Sequence, residues 1–257
     1  MNLVQRTFDV ESKPLFITSS LIDSVAFHVN MRPESDWKLK SLIDLKAQLK
    51  RNNTFTKTDF TERGQAFEDK LCAFARAKRE IFYNAFSQDV LCDISKLDVF
   101  YDALQGAETQ KDMKGKFTVD GQEFTFYGKA DIVQYDVVPG KGRKARHHAD
   151  IKTTSSWKTG KYSSEKSYGE RAQHLMYMYL DEVETFDYLV AEFLDENGDD
   201  EKKGRNWKVI DVHVVPIEER NRAELERKLY SRILETVNFL SQDPEMWADY
   251  CNVFTRT

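Results

Sequence analysis

The chain has 257 residues, 40% of them apolar and 32% charged, with a net charge of −5. That size suits one domain with a sizeable core, and no apolar run reaches the ~18 residues that a membrane helix needs. The acidic balance argues against a purely electrostatic nucleic-acid binder, and the three scattered cysteines, Cys72, Cys92 and Cys251, exclude zinc ribbons and Cys-x-x-Cys redox motifs.

In chain order, Met1–Lys13 lacks the apolar block of a signal peptide, so a cytoplasmic setting is expected. Ile17–Val29 reads as an opening helix with Ser19 or Ser20 as N-cap. Asp36–Lys50 reads as a second helix, its apolar face carried by Leu39, Leu42, Ile43 and Leu49. A third is predicted from Glu62 to Phe86, capped by Thr61, with Phe67, Leu71, Phe74 and Phe82 inward. The period then changes to two. Lys116–Val119 and Glu123–Tyr127 flank Asp120-Gly121, a strong hairpin signal. Gly128–Val138 and His148–Thr153 are predicted strands around the turn Pro139-Gly140-Lys141-Gly142. A helix over Tyr168–Leu180, strands over Phe186–Leu194 and Trp207–Val215, and a closing helix over Glu218–Leu240 complete the order, with a polar loop over Asp195–Arg205. This is an α/β pattern, a mixed sheet flanked by helices. The expected layout is one domain: a helical elaboration over 1–60, a core over 61–215 and a C-terminal helix over 216–257.

Asp131 and Asp150 stand equally far from a midpoint between Gly140 and Lys141, inside the predicted turn. They should therefore face each other on adjacent antiparallel strands, give or take a bulge. Two opposed carboxylates repel, and burial without a cation is costly. A hard divalent ion such as Mg²⁺ removes the penalty through oxygen ligands. Lys152 leaves the same strand face as Asp150, where an ammonium can stabilise charge on a phosphate. The Ile151 carbonyl offers one more oxygen. No nucleophilic triad has a supporting motif.

Four segments in order, Gly64/Glu68, Gly128/Asp131, Asp150/Lys152 and Gln173/Tyr177, spell G-x-x-x-E, G-x-x-D, D-x-K and Q-x-x-x-Y. Together they resemble the RecB-type, lambda-exonuclease-like branch of the PD-(D/E)XK nuclease superfamily, over about residues 64–194. The resemblance implies a restriction-endonuclease-like core and phosphodiester hydrolysis on DNA with Mg²⁺, or Mn²⁺ in its place. Glu68, Asp131 and Asp150 would be metal ligands and Lys152 the catalytic lysine. Gln173 and Tyr177 would orient the site and meet the DNA backbone. Some relatives carry a four-cysteine iron–sulfur cluster; three scattered cysteines imply none here, and no ATP-binding motif is present.

Lys158, Lys161, Lys166 and Arg171, interleaved with Trp157, Tyr162 and Tyr168, form a basic stretch suited to a DNA strand or frayed end. Lys141, Arg143, Lys144 and Arg146 form a second basic turn. His174 is read either as reaching the phosphate or as a surface histidine. His147 and His148 point to opposite strand faces, which argues against zinc. The expected activity is an exonuclease in recombination, repair or phage DNA processing. A structure-selective endonuclease and a catalytically silent binding module are the alternatives. No membrane partner is expected; a homo-oligomer or a recombination-protein partner is compatible with the sequence.

Overall fold

The computed structural model describes residues 15–50, 58–140, 142–157, 164–198 and 204–253. Its contacts divide the chain into two compact units, one of residues 1–53, 114–127 and 232–257, the other of residues 54–113 and 128–231.

In the first unit, β1 (Leu15–Ile17) pairs in parallel with residues 124–126 of β3 (Gln122–Val138). Thr18 caps α1 (Ser19–Val29) by accepting from Leu21 N, so the chain enters as a short strand and the cap falls one residue before the two serines predicted for it. Lys38 of α2 (Asp36–Leu49) donates to the carbonyls of His28, Val29 and Met31, satisfying acceptors that the end of α1 leaves open. The buried face of α2 is Leu45 and Leu49; Leu39 and Ile43, expected inward, are 66% and 57% exposed. The Asp120-Gly121 turn joins β2 (Glu108–Val119) to β3 with φ of 49° and 82°, the left-handed pair that a two-residue hairpin needs. The first unit also holds the end of α8 (Arg222–Ser241) and α9 (Pro244–Val253), whose Tyr250 hydroxyl donates to the Phe16 carbonyl.

The second unit is a mixed sheet flanked by helices. β3 runs antiparallel to β4 (Gly142–Thr154), β4 parallel to β5 (Thr185–Asp195), and β5 antiparallel to β6 (Trp207–Glu218). Alternation divides the strands into two faces. Ala149, Ile151, Leu189, Ala191 and Phe193 join one core with Phe67, Leu71, Phe82, Phe86 and Phe100 from the helices. Phe186 and Tyr188 meet α7 (Ala172–Asp181) through Tyr177 and His174, with α6 (Glu165–Gly169) before it.

The helix predicted over 62–86 is two helices, α3 (Asp59–Ala73) and α4 (Arg79–Phe86), followed by a 3₁₀ turn (Ile94–Leu97) and α5 (Asp98–Leu104). One straight helix would hold Phe67 and Phe86 about 28 Å apart. Their rings pack edge-to-face at 5.9 Å, so closing the aromatic core requires the break. The cap is Thr58, in a reciprocal capping box with Thr61. No described helix is long and apolar enough to cross a membrane.

Candidate active site

The β3–β4 ladder pairs Ile132 with Ala149, Val133 with His148 and Gln134 with His147, the register expected from the turn; a bulge after Gln134 shifts the rest by one residue. Pairing stops at Ile132 and Ala149. Beyond that point the Asp131 carboxylate takes over from the backbone, accepting from Ile151 N at 2.9 Å. Asp131 and Asp150 lie at this end of the ladder, 8% and 1% exposed. Lys152 forms an ion pair with Asp150, and Gln173 donates to Asp150 Oδ1 at 2.6 Å. α3 brings Glu68, whose Oε1 accepts from Gln110 Nε2 at 2.5 Å, and the same amide lies 3.4 Å from Asp131 Oδ1.

Both motif glycines have a packing reason. A Cβ on Gly64 would stand 2.8 Å from Thr153 Oγ1, so its absence lets α3 approach β4 and carry Glu68 in. A Cβ on Gly128 would stand 2.8 Å from the Tyr177 hydroxyl and 2.9 Å from its ring. Tyr177 is itself buried, and its hydroxyl donates to the Lys129 carbonyl at 2.8 Å, two residues before Asp131.

Burial pushes the Asp131 carboxyl up to about 8, with Asp150, then Glu68, adding to the rise against the pull of Lys152. Burial also raises Glu68. Burial opposes the Lys152 ammonium, yet Asp150 and Asp131 hold its pKa above the usual lysine range. Asp150 Oδ2 is buried and held by the Lys152 ammonium, while Gln173 takes the other oxygen. Three carboxyls around one ammonium in a desolvated place cannot all stay ionised, which is why the Asp131 carboxyl is pushed up to about 8, and every donor atom among the three is a hard oxygen. That chemistry fits a divalent cation. As placed, no three His, Cys, Asp or Glu side chains among the described residues are disposed to hold an ion. The Gln110 amide stands between Glu68 and Asp131.

A second network supports the site. Asp181 accepts from Lys111 at 2.7 Å and from His148 Nε2 at 2.9 Å, tying β2 and β4 to the end of α7. His174 is neither on the surface nor free: it is 3% exposed, with Nδ1 3.2 Å from the Tyr188 hydroxyl. His147 turns the other way, to Thr185 and Asp187. Arg171 stacks on Tyr168, 4.3 Å from the ring centre, and its charge reaches Lys152. Lys166 is exposed, 3.9 Å from Glu170. Lys141, Lys158, Lys161 and Tyr162 lie outside the described residues. Sequence reasoning missed Gln110, Lys111 and Asp181. None belongs to a motif, and the one local sign, a left-handed backbone at Gln110, is not visible in a glutamine codeword.

No family model and no curated protein matches the chain. Solved structures that overlap it include a phage-related exonuclease from Haemophilus somnus 129PT, 13% identical, covering 86% of this chain and 92% of that one at a TM-score of 0.44. SSO0001 is 14% identical, with 97% of this chain and 85% of that one covered at 0.42. Rai1 from Scheffersomyces stipitis is 12% identical, with 91% and 62% covered at 0.35.

Proposed function

We propose that this chain is a divalent-metal-dependent nuclease that hydrolyses DNA, built on the restriction-endonuclease-like core its motifs resemble. One observation carries the reading: Glu68, Asp131, Asp150 and Lys152 act on one another's charge at the end of the β3–β4 ladder, three carboxyls and one ammonium gathered in a largely buried place. Structural cores rarely keep such a set, because each buried carboxylate costs several kcal/mol unless compensated.

A bound Mg²⁺ or Mn²⁺ would supply Lewis acidity at the phosphate and a nucleophilic water near neutral pH. Glu68, Asp131 and Asp150 would hold it through their carboxylates, with the Ile151 carbonyl as a further oxygen. Lys152, beside Asp150, would stabilise charge on the phosphate. Gln173 fixes one oxygen of Asp150 and Lys152 holds the other. Tyr177 holds the strand just ahead of Asp131. Arg171, beside Lys152, and exposed Lys166 offer cations to the DNA backbone. Within this reading we favour an exonuclease, acting without an iron–sulfur cluster or ATP.

The test compares wild type and Asp150→Ala on linear, covalently closed circular and single-stranded DNA, with Mg²⁺, with Mn²⁺ and with chelator. Cleavage that needs metal, is lost in Asp150→Ala and spares closed circles is expected. Cutting of closed circles turns the reading to an endonuclease. Undiminished cleavage by Asp150→Ala, or none by wild type in either metal, overturns it.

A further inference from the structure

Gln110 is the one described side chain within hydrogen-bonding reach of both Glu68 and Asp131, and its environment is odd for a strand residue. Its φ is +56°, a left-handed backbone that costs a non-glycine residue about 1 kcal/mol or more and breaks the strand's two-residue alternation. The next residue is anchored, since Lys111 is held by Asp181. That ion pair ties down the strand beside residue 110, and the amide at the far end of the Gln110 side chain reaches both carboxyls. Its Nε2 donates to Glu68 at 2.5 Å and lies 3.4 Å from Asp131.

An amide has two unlike ends. The NH₂ end suits a pair of carboxylates with no cation between them. A divalent ion arriving at those carboxylates would repel that end and attract the carbonyl end, a hard neutral oxygen of the kind such ions accept. A half-turn about the last side-chain bond exchanges the two without moving the backbone.

Resting on the metal-dependent reading above, we propose that Gln110 is a further cation ligand: its amide bridges Glu68 and Asp131 without metal and turns its carbonyl oxygen to the ion when one binds. The strained backbone is what aims the side chain at both carboxylates. The same arrangement accounts for the carboxylates' placement without an ion, because the NH₂ end of the amide stands between Glu68 and Asp131 until the carbonyl end turns to the metal.

The test is Mn²⁺ binding by calorimetry, with melting temperature read in chelator and in Mn²⁺, for wild type, Gln110→Ala, Gln110→Glu and Asp150→Asn. Gln110→Ala should bind Mn²⁺ about tenfold more weakly or worse. Gln110→Glu should melt lower than wild type in chelator, where a fourth carboxylate is crowded in. It should bind Mn²⁺ at least as tightly as wild type, because a carboxylate replaces the carbonyl oxygen. A purely structural amide donor predicts the opposite, with Gln110→Glu the worst variant in both conditions. Unchanged or tighter binding by Gln110→Ala, or loss in Gln110→Glu, overturns the proposal. Should Gln110→Ala not fold, Gln110→Met, which keeps the length and removes both polar ends, takes its place with the same expectation. Asp150→Asn separates the two levels: if it loses Mn²⁺ while Gln110→Ala keeps it, only the Gln110 assignment fails. If wild type binds no Mn²⁺, or Asp150→Asn binds as wild type does, the metal-dependent reading fails and takes this proposal with it.

Discussion

At the scale of single residues, the candidate site depends on what is absent as much as on what is present. Gly128 lacks the Cβ that would meet the Tyr177 hydroxyl at 2.8 Å, and that hydroxyl in turn holds the Lys129 carbonyl. Gly128→Ala should destabilise by ~1–3 kcal/mol through overpacking, and Tyr177→Phe by about 1 kcal/mol through the lost hydrogen bond. Together they should cost less than the sum, because Phe removes the nearest of the clashing atoms. Urea unfolding of the four proteins at constant m-value measures this; strictly additive costs would show that the close approach is not what requires glycine. Glu68, Asp131, Asp150, Lys152, Gln173 and the two glycines were legible because each belongs to a spaced motif. Gln110 was not, since its part is set by a backbone angle and by neighbours 42 and 21 positions away.

At the scale of elements, periodicity found most strands and helices and missed what tertiary packing decides. The β3–β4 register beside Asp131 and Asp150 could be read to within one residue: the turn pairs Val138 with Gly142, and the bulge after Gln134 supplies the extra residue that sets Ile132 against Ala149. The break between α3 and α4 could not, because Ala75, Arg76 and Ala77 are good helix formers and only the aromatic core forces the chain round. α9 did carry a start signal, Asp243 followed by Pro244, and Asp243 indeed accepts from Glu245 N and Met246 N. The α1–α2 pair shows an electrostatic consequence of packing. His28 Nδ1 lies 2.7 Å from Ser41 Oγ, its ring meets Phe239, and its neighbouring charge is Lys38. Burial first, then Lys38, hold His28 below the usual histidine value. The unfolded chain therefore takes up a proton near pH 6.5 that the folded chain refuses. The stability His28 contributes is complete above that pH and is lost as pH falls below it. The slope stays under the ~1.4 kcal/mol per pH unit of one whole proton. His28→Gln should flatten the profile between pH 7 and 5, measured by thermal melts in chelator. An equally steep profile in the variant would assign the proton to another group.

At the scale of the whole molecule, a protein of net charge −5 would, on the proposed reading, have to hold DNA locally. Overall charge repels the polyanion, so the expected grip combines carboxylate-held metal with a few cations placed beside it. Arg171 is the described cation nearest in effect to Lys152, and its guanidinium is stacked on Tyr168, which limits the entropy lost when it meets a phosphate. Each phosphate contact by a basic side chain contributes about 0.9 to the slope of log affinity against log salt on duplex DNA. Arg171→Gln should weaken binding in Ca²⁺, which replaces Mg²⁺ to suppress cleavage, and should lower that slope by about one. Glu170→Gln, on the adjacent exposed residue, should not lower the slope, since it removes no cation. Fluorescence anisotropy of a labelled duplex from 50 to 300 mM salt separates the cases. If Arg171→Gln weakens binding with the slope unchanged, its guanidinium supports the Tyr168 wall rather than a phosphate. The backbone grip would then belong to Lys166 or to the lysines at 158 and 161, where charge reversal should produce the missing change in slope.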